Sequence, residues 1–503
     1  MSDPFYITTA ISYPNGPPHI GHAYEAIAAD AIARFQRAQG RDVRFQTGTD
    51  EHGLKMAQAA RSEGVEPRDF ADKMSKLFQH MCDTLNISYD RFIRTSQADH
   101  YRASQAIWTA MEERGDLYLD RYEGWYSVRD EAYYDDEELV SAEDGAKLSP
   151  QGTPVEWTVE ESWFFKLSKY QQPLLDHYAA NPEFIRPESR RNEVVRFVEG
   201  GLKDLSISRT SFDWGVPVPG SDNHVMYVWL DALTNYITGV GYPDDTEMWR
   251  QYWPANVHLI GKDVVRFHAI YWPAFLMSAG VELPKQVYGH GFLLSRGEKM
   301  SKSVGNVVDP TALADRFGVD ALRYFLLREV SFGQDGSYSA EAIVNRANAE
   351  LANSFGNLAQ RTLSMIVKNL DGVLPAPGEA SEDAELLNLV RKACSEELPQ
   401  AFERFAFSVG IEAWLRAVFA CNHYVDAQAP WALRKTDPER MAAVLGTLVA
   451  AVRELAKAIA PIIPQSAEKL LATIGTGEGG APIAQPTPLF PRLELQEDGE
   501  EAA

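Results

Sequence analysis

Along the first fifty residues the spacing of hydrophobic positions changes period twice. Phe5–Ser12, FYITTAIS, is a short apolar, β-branched run of the kind that forms a buried strand. Breakers follow at Pro14, Asn15, Gly16, Pro17 and Pro18. From Ile20 the apolar positions recur at helical spacing through IGHAYEAIAADAIARFQRAQ, and Gly40 supplies a stop. RDVRFQTGTDEHG then reads as a second strand running into a glycine-containing loop that ends in acids and His52. Strand, helix and strand at this spacing predict a βαβ unit and therefore a parallel sheet.

The pattern changes between Leu117 and Val225, where LYLDRYEGWYSVRDEAYYDDEEL is rich in tyrosine and acids with short strand-like pieces. This predicts an insertion. Near Tyr227 the α/β pattern returns in YVWLDALTNYITGVG, NVHLIGKDVVRFHAIYWPAFLMSAG and QVYGHGFLLSRGEKMSKS. After Asp309-Pro310, a cap followed by proline at the first helical position, the chain turns helical. ADRFGVDALRYFLLREV predicts one helix and SAEAIVNRANAELANSFGNLAQRTLSMIVKNL a long one. Gly372–Asp383 reads as a linker, three further helices are expected from Ala384 to Ile474, and the Gly/Pro-rich acidic end reads as a loose tail.

Composition narrows this picture. A chain of 503 residues, 45% hydrophobic and 24% charged, predicts several ordinary globular domains. No basic leader with an apolar run opens it, and no apolar stretch is long enough to span a membrane, so no signal peptide and no membrane association are expected. Cys82, Cys394 and Cys421 are scattered and odd in number, which fits a reducing cytoplasm and leaves no thiolate zinc site. The net charge of −23 speaks against a generic nucleic-acid coat, so any nucleic acid must be engaged locally.

Two short motifs carry candidate chemistry. His19-Ile20-Gly21-His22 falls where the first strand hands over to its helix, and helix N-termini bind phosphate through amides and dipole. His19 and His22, at i and i+3, face the same side, and two imidazole donors suit charge developing on phosphorus. Gly21 leaves room for a ligand near the backbone. Lys299-Met300-Ser301-Lys302-Ser303 lies on a loop between Gly297 and Gly305, also after a strand. Ligands of parallel sheets bind beyond the carboxyl ends of the strands, so both motifs are expected at one edge. Taken alone, each is also compatible with a structural histidine pair and a solvated loop.

Together with ITTAISYPNGPPHIGHAYEAIAAD, TGTDEHG, YVWLDA, IGKDVVRFHAIYWPAFL and YVDAQAPW, these motifs resemble the class I aminoacyl-tRNA synthetases, and the methionyl-tRNA synthetase family in particular, from residue 4 to about residue 470. The resemblance implies an α/β fold: a Rossmann-like parallel-sheet catalytic domain with an inserted connective domain, followed by an all-α helical-bundle anticodon-binding domain. The boundaries expected are 1–116 and 226–296 for the two catalytic halves, 117–225 for the insertion, 297–345 for the lysine loop and stem-contact region, 346–474 for the helical domain and 475–503 for the tail. It also implies the reaction: methionine attacks the α-phosphate of ATP, taken with Mg²⁺, pyrophosphate leaves, and the methionyl group passes from the adenylate to the terminal ribose of tRNA(Met). The protein supplies orientation and charge stabilisation.

By the same resemblance His19, Gly21, His22, Glu25, Gly261, Asp263, Lys299 and Lys302 should hold ATP, with His19, His22, Lys299 and Lys302 acting on the transferring phosphate. Asp50 should take the substrate ammonium. Ile11, Tyr13, Trp229, Ala232, Leu233, Tyr236, Val264, His268 and Trp272 should form an apolar, aromatic pocket for the thioether, with Tyr13 and His268 as its polar limit. From their spacing alone WLDALTNY and RFHAIYW are equally core helix faces. Asn353, Asn357, Arg361 and Trp431 should read the CAU anticodon, Trp431 by stacking; as bare sequence, APW is also a helix start with a core tryptophan.

Two departures from the family stand out. Many relatives carry a cysteine zinc knuckle in the insertion; here Ser127 and Asp130 stand where a CxxC is expected, so no metal site and no structural zinc is predicted. The chain also lacks the extra tRNA-binding domain that dimerises some relatives, which predicts a monomer. Rival readings are a ligase for leucine, isoleucine, valine or cysteine, a synthetase-like tRNA binder without catalysis, and a nucleotidyltransferase with no tRNA partner.

Overall fold

The computed structural model describes residues 3–130, 132–142, 145–295, 298–299, 307–475 and 482–495. The chain divides into two compact units. One comprises Met1–Pro18, Gln39–Asp83 and Ile87–His290; the other comprises His19–Ala38, Thr84–Asn86 and Gly291–Ala503.

The first unit is built on six strands: β1 (Pro4–Thr9), β2 (Asp42–Thr49), β3 (Arg91–Arg94), β4 (Ile185–Arg186), β5 (Val257–Gly261) and β6 (Val287–His290). Their order is β3-β2-β1-β5-β6-β4, and every neighbouring pair is parallel. After its first residue β1 is buried throughout, which is why it reads as a continuous apolar run and not as an alternation. From β1 the chain passes through α1 (Ile20–Ala38), which belongs to the second unit, and returns as β2. Successive strands then move outward to β3, whereas β5 pairs on the opposite side of β1. The order therefore reverses between β1 and β5. Loops leaving the two strands at such a point part in opposite directions and open a crevice at the carboxyl ends. The α2 helix (Val228–Thr238) is buried at every position except Trp229.

The insertion is more regular than its sequence suggests. Leu117–Ser127 and Glu156–Phe165 pair antiparallel over ten rungs, from Leu117↔Phe165 to Tyr126↔Glu156. Phe165 and Tyr126 face the core, while Trp157 and Val159 face outward. Aromatic and β-branched residues on both strands favour such a ladder.

In the second unit the long helix expected before Asn369 is present as Ala340–Arg346, a π-helical stretch Ala347–Gly356 and Asn357–Asn369. ADRFGVDALRYFLLREV, expected as one helix, is two, Pro310–Phe317 and Val319–Glu329. Gly318 between them has φ +87°, which no helix accommodates. The Asp309 cap is present, its carboxylate accepting the Thr311 N–H at 2.8 Å. Between Ala384 and Ile474 there are more helices than the three expected. The run 381–403 is followed by Phe407–Gln428, Pro430–Thr436, Pro438–Ile459 and Pro464–Ile474. Each of the last three opens on a proline, which fits a first turn and bars continuation of the previous helix.

The expectation of a loose tail fails for residues 482–495. Ile483 donates its N–H to Gly372 O (2.9 Å), Asn348 exchanges two 2.8 Å hydrogen bonds with the Leu493 backbone, and Gln360 donates to Pro486 O. α1 is anchored within this unit by a fully buried ion pair, Asp30 with Arg323 at 2.6 Å. Arg323 also donates to the carbonyls of Ile462, Pro461 and Leu85.

Candidate functional site

In the first unit the residues singled out from sequence lie on the loops at the carboxyl ends of β1, β2 and β5 or on segments packed against the same core. After β1, Ala10 donates to Leu259 O of β5, and Ser12 donates to Gly48 O of β2. These bonds draw the Ala10–Tyr13 loop across the switch point, and Ser12 O in turn accepts the N–H of Asp50 at 2.9 Å. Asp50, the first residue beyond β2, is buried. Tyr13 is fixed by its hydroxyl, which donates to His52 O (2.8 Å) and accepts the Met56 N–H (3.3 Å). After β5, Gly261 is followed by a 3₁₀ turn, Lys262–Val264. A Cβ on Gly261 would lie 2.8 Å from an oxygen of Asp263, so glycine lets that carboxylate fold over the backbone.

Ala232, Leu233, Tyr236, His268 and Trp272 are buried, and Ile11, Tyr13, Trp229 and Val264 are partly so. Tyr236 OH and His268 Nε2 are 2.6 Å apart, and His268 Nδ1 lies 2.8 Å from Val264 O. A carbonyl only accepts, so the ring proton sits on Nδ1 and Nε2 accepts from the tyrosine. Burial pushes the His268 pKa down to about 4, against a smaller opposing effect of the Val264 hydrogen bond. The ring is neutral. The same logic fixes His258, whose Nε2 accepts the Trp272 indole N–H (3.3 Å) while Nδ1 faces Thr8 Oγ1 at 2.7 Å. Tyr236 stacks on His258 at 4.0 Å, and Trp229 lies flat on Phe267 at 3.7 Å. The Trp229 indole N–H is buried and meets no hydrogen-bond partner among the described residues. Phe267 and His258 were not foreseen. Phe267 stands inside the quoted RFHAIYW, but nothing in its spacing distinguishes it from core.

In the second unit His19 caps α1 and stacks on His22, ring centroids 3.8 Å apart. The His19 N–H donates to His22 Nδ1 and the Gly21 N–H to His19 Nδ1, both at 3.1 Å. Both Nδ1 atoms accept, so each neutral ring carries its proton on Nε2. The expectation of free amides at this helix start is corrected. Ile20 N–H is taken by Val308 O, Gly21 N–H by the His19 ring, and His22 and Ala23 N–H by His19 O. Gly21 is also required for a different reason than expected. A Cβ there would sit 2.9 Å from His19 Cε1, so the missing side chain makes room for the histidine itself. Glu25 follows one turn on, partly buried. Lys299 is in a two-residue strand whose register sets it opposite Leu294; Lys302 lies outside the described residues.

Further along the second unit Asn353 and Asn357 are exposed. The Arg361 guanidinium lies 5.6 Å from the Trp431 ring and 3.4 Å from Asp426. Trp431 is 52% exposed, which removes the core-tryptophan alternative. In the insertion Ser127 and Asp130 join a closed polar cluster. Asp130 accepts from Ser149 (2.7 Å), Thr153 (2.5 Å) and Tyr134 (3.0 Å), and Ser127 meets Thr153 at 2.7 Å. Among the described residues no three His, Cys, Asp or Glu side chains gather as a metal site, and no helix is long and apolar enough to cross a membrane.

Residues 5–363 match the family model described as tRNA synthetases class I (M), and residues 374–489 match the anticodon binding domain of methionyl tRNA ligase. The chain is 58% identical to the methionine–tRNA ligase of Brucella suis over 97% of its own length and 98% of the relative's. It is 56% identical to that of Rhizobium meliloti, over 99% of both chains. A solved Mycobacterium tuberculosis methionyl-tRNA synthetase in complex with methionyl-adenylate superposes with a TM-score of 0.95 at 55% identity, covering 97% of this chain and 100% of that one.

Proposed function

We propose a set of residue roles for a chain that belongs to the class I methionyl-tRNA synthetases, a membership carried by both family models and by 58% identity over nearly its whole length. Its activity is that of a methionine–tRNA ligase: methionine and ATP give methionyl-adenylate and pyrophosphate, and the methionyl group then passes to tRNA. The rival amino acid ligases fall with this membership.

The observation that carries the pocket assignment is the neutral aromatic wall of Trp229, Tyr236, His268 and Trp272. A thioether is apolar and polarisable, and a charged histidine beside it would be buried without compensation. A neutral His268, locked by Tyr236 and Val264, gives the pocket a polar limit without charge. Ile11, Tyr13, Ala232, Leu233 and Val264 complete the lining. The buried Asp50 carboxylate pairs with the substrate ammonium.

ATP binds as its Mg²⁺ complex. His19 and His22 present Nε2–H groups to the phosphate, because both Nδ1 atoms are engaged by backbone amides. Gly21, Glu25, Gly261 and Asp263 hold the nucleotide. Lys299 and Lys302 stabilise the pentavalent phosphorus and the departing pyrophosphate. Trp431, with Arg361 beside it and Asn353 and Asn357 on the same helical run, stacks on and reads the CAU anticodon. The Asp130 cluster holds the insertion by hydrogen bonds in place of zinc. The protein works as a cytoplasmic monomer, within the domain boundaries given above.

The test is aminoacylation of tRNA transcripts with a CAU anticodon and with one anticodon base changed. The CAU transcript should be charged at least a hundredfold faster. Comparable rates would remove the anticodon assignment.

A further inference from the structure

A row of polar contacts joins β2 and its loop to α2 and the Gly239 that caps it. Arg44 donates Nε and Nη2 to Gly239 O (3.1 and 2.6 Å), and Gln46 Nε2 donates to both O and Oδ1 of Asn235 (3.0 and 2.8 Å). Beyond the strand end His52 Nδ1 lies 2.6 Å from Asp231 Oδ2. Residue numbers rise along β2 as they fall along α2, so the two elements run in opposite directions along one polar seam. The other Asp231 oxygen lies 2.6 Å from His100 Nε2. Outer partners hold both rings: Tyr101 OH is 3.0 Å from His52 Nε2, and Thr238 Oγ1 is 3.1 Å from His100 Nδ1. His52, His100 and Asp231 are all buried.

None of these three side chains has a role in the chemistry assigned so far. For stability alone, an apolar set of the same shape would hold a helix to a strand at least as well. A fully satisfied buried network instead fixes a single register, because any slip leaves charged groups unpartnered. The register fixed here has a specific consequence. Trp229, Ala232, Leu233 and Tyr236 of α2 form the pocket wall, and Asp50 sits two residues before His52. The intervening loop cannot absorb a slip. Its Glu51 carbonyl accepts the Trp214 indole N–H (2.5 Å), its His52 carbonyl accepts Tyr13 OH, and Gly53 N–H donates to Trp214 O (3.1 Å).

We propose that Asp231, clasped between His52 and His100, is a positioning residue for methionine activation, setting the Asp50 carboxylate against the pocket wall so that ammonium and thioether are gripped together. This rests on the methionine reading of the site. Although burial works against the charge, the two histidines hold the Asp231 carboxyl at about 2, so this carboxylate is ionised throughout the working range.

Two competitive inhibitors of methionine-dependent ATP–pyrophosphate exchange separate the roles. Methioninol keeps the amino group and the thioether; 4-(methylthio)butanoate keeps the thioether and lacks the amino group. In Asp231→Asn the inhibition constant of methioninol should rise at least tenfold and that of 4-(methylthio)butanoate less than twofold, with the KM for ATP unchanged. Tyr101→Phe, which trims only the outer hydrogen bond on His52, should shift methioninol alone by about two- to fivefold, and it carries the test should Asp231→Asn not fold. Equal weakening of both inhibitors, or of neither, would overturn the proposal. Failure of the unmodified protein to respond to either inhibitor would instead overturn the methionine reading beneath it.

Discussion

Replacing Tyr236 by Phe deletes one oxygen and leaves the stack on His258 intact. The lost group is the donor to His268 Nε2, 2.6 Å away in a buried setting. His268 cannot compensate by switching tautomer, because Val264 O holds its Nδ1–H at 2.8 Å. Leaving one buried acceptor unmatched costs about 1–3 kcal/mol. The protonated ring loses more, because its buried Nε2–H is left without the hydroxyl oxygen as acceptor, and a hydrogen bond to a charged group is worth about 1.5–3 kcal/mol. Protonation therefore becomes harder, and at about 1.4 kcal/mol per tenfold the His268 titration should fall by up to about one pH unit from its depressed position near 4. Because the folded pKa lies below the ordinary 6.5, stability linked to this ring is complete above pH 6.5 and is lost as pH falls towards 4. The variant should lose it over a wider range. The assay is the pH profile of methionine-dependent exchange, with the acid limb checked against the ¹⁵N shifts of labelled histidine. An acid limb that moves to higher pH would refute the placement of the Tyr236 hydroxyl on His268 Nε2 described here.

Three other variants have defined outcomes. Lys302→Ala should lower the rate of adenylate formation at least a hundredfold while changing methionine affinity less than threefold; equal losses in both would contradict its role at the phosphate. Trp431→Ala should weaken tRNA binding by about 1–3 kcal/mol and leave amino-acid-dependent exchange unaffected, as measured by filter binding beside the exchange assay. Arg323→Met strips the buried Asp30 of one cation, while Arg34 stays at 2.7 Å. Urea unfolding should show a loss of about 3–5 kcal/mol, and a loss below about 1 kcal/mol would contradict the anchoring of α1 described here.

The sheet was legible because its information is local. Phe5–Thr9 is apolar without alternation, and the breakers from Pro14 to Pro18 mark where the strand must end. The residues after β1, β2 and β5 were nominated by the family resemblance, and a parallel sheet explains why such loops share one edge. The Gly318 break and the helix starts at Pro430, Pro438 and Pro464 were also written in the sequence; a single helical period laid across Gly318 hid the first, and fewer, longer helices obscured the others. Partners far apart in the chain were a different matter. His52 meets Asp231 across 179 residues, and Asp231 meets His100 across 131, with no periodic trace of either pairing. Asp231 lies on a helix between hydrophobic neighbours, where a carboxylate gives no sign of whether it points to solvent or to a buried cation. The tail misled for a related reason. Its Gly/Pro-rich acidic composition lacks a core of its own, yet hydrogen bonds tie residues 482–495 to Gly372, Asn348 and Gln360.

The proposed methionine pocket of the first unit is read most directly by ATP–pyrophosphate exchange without tRNA across all twenty amino acids. Methionine should support exchange at least a hundredfold above every other amino acid. Comparable exchange with leucine or isoleucine, or none with methionine, would contradict the pocket.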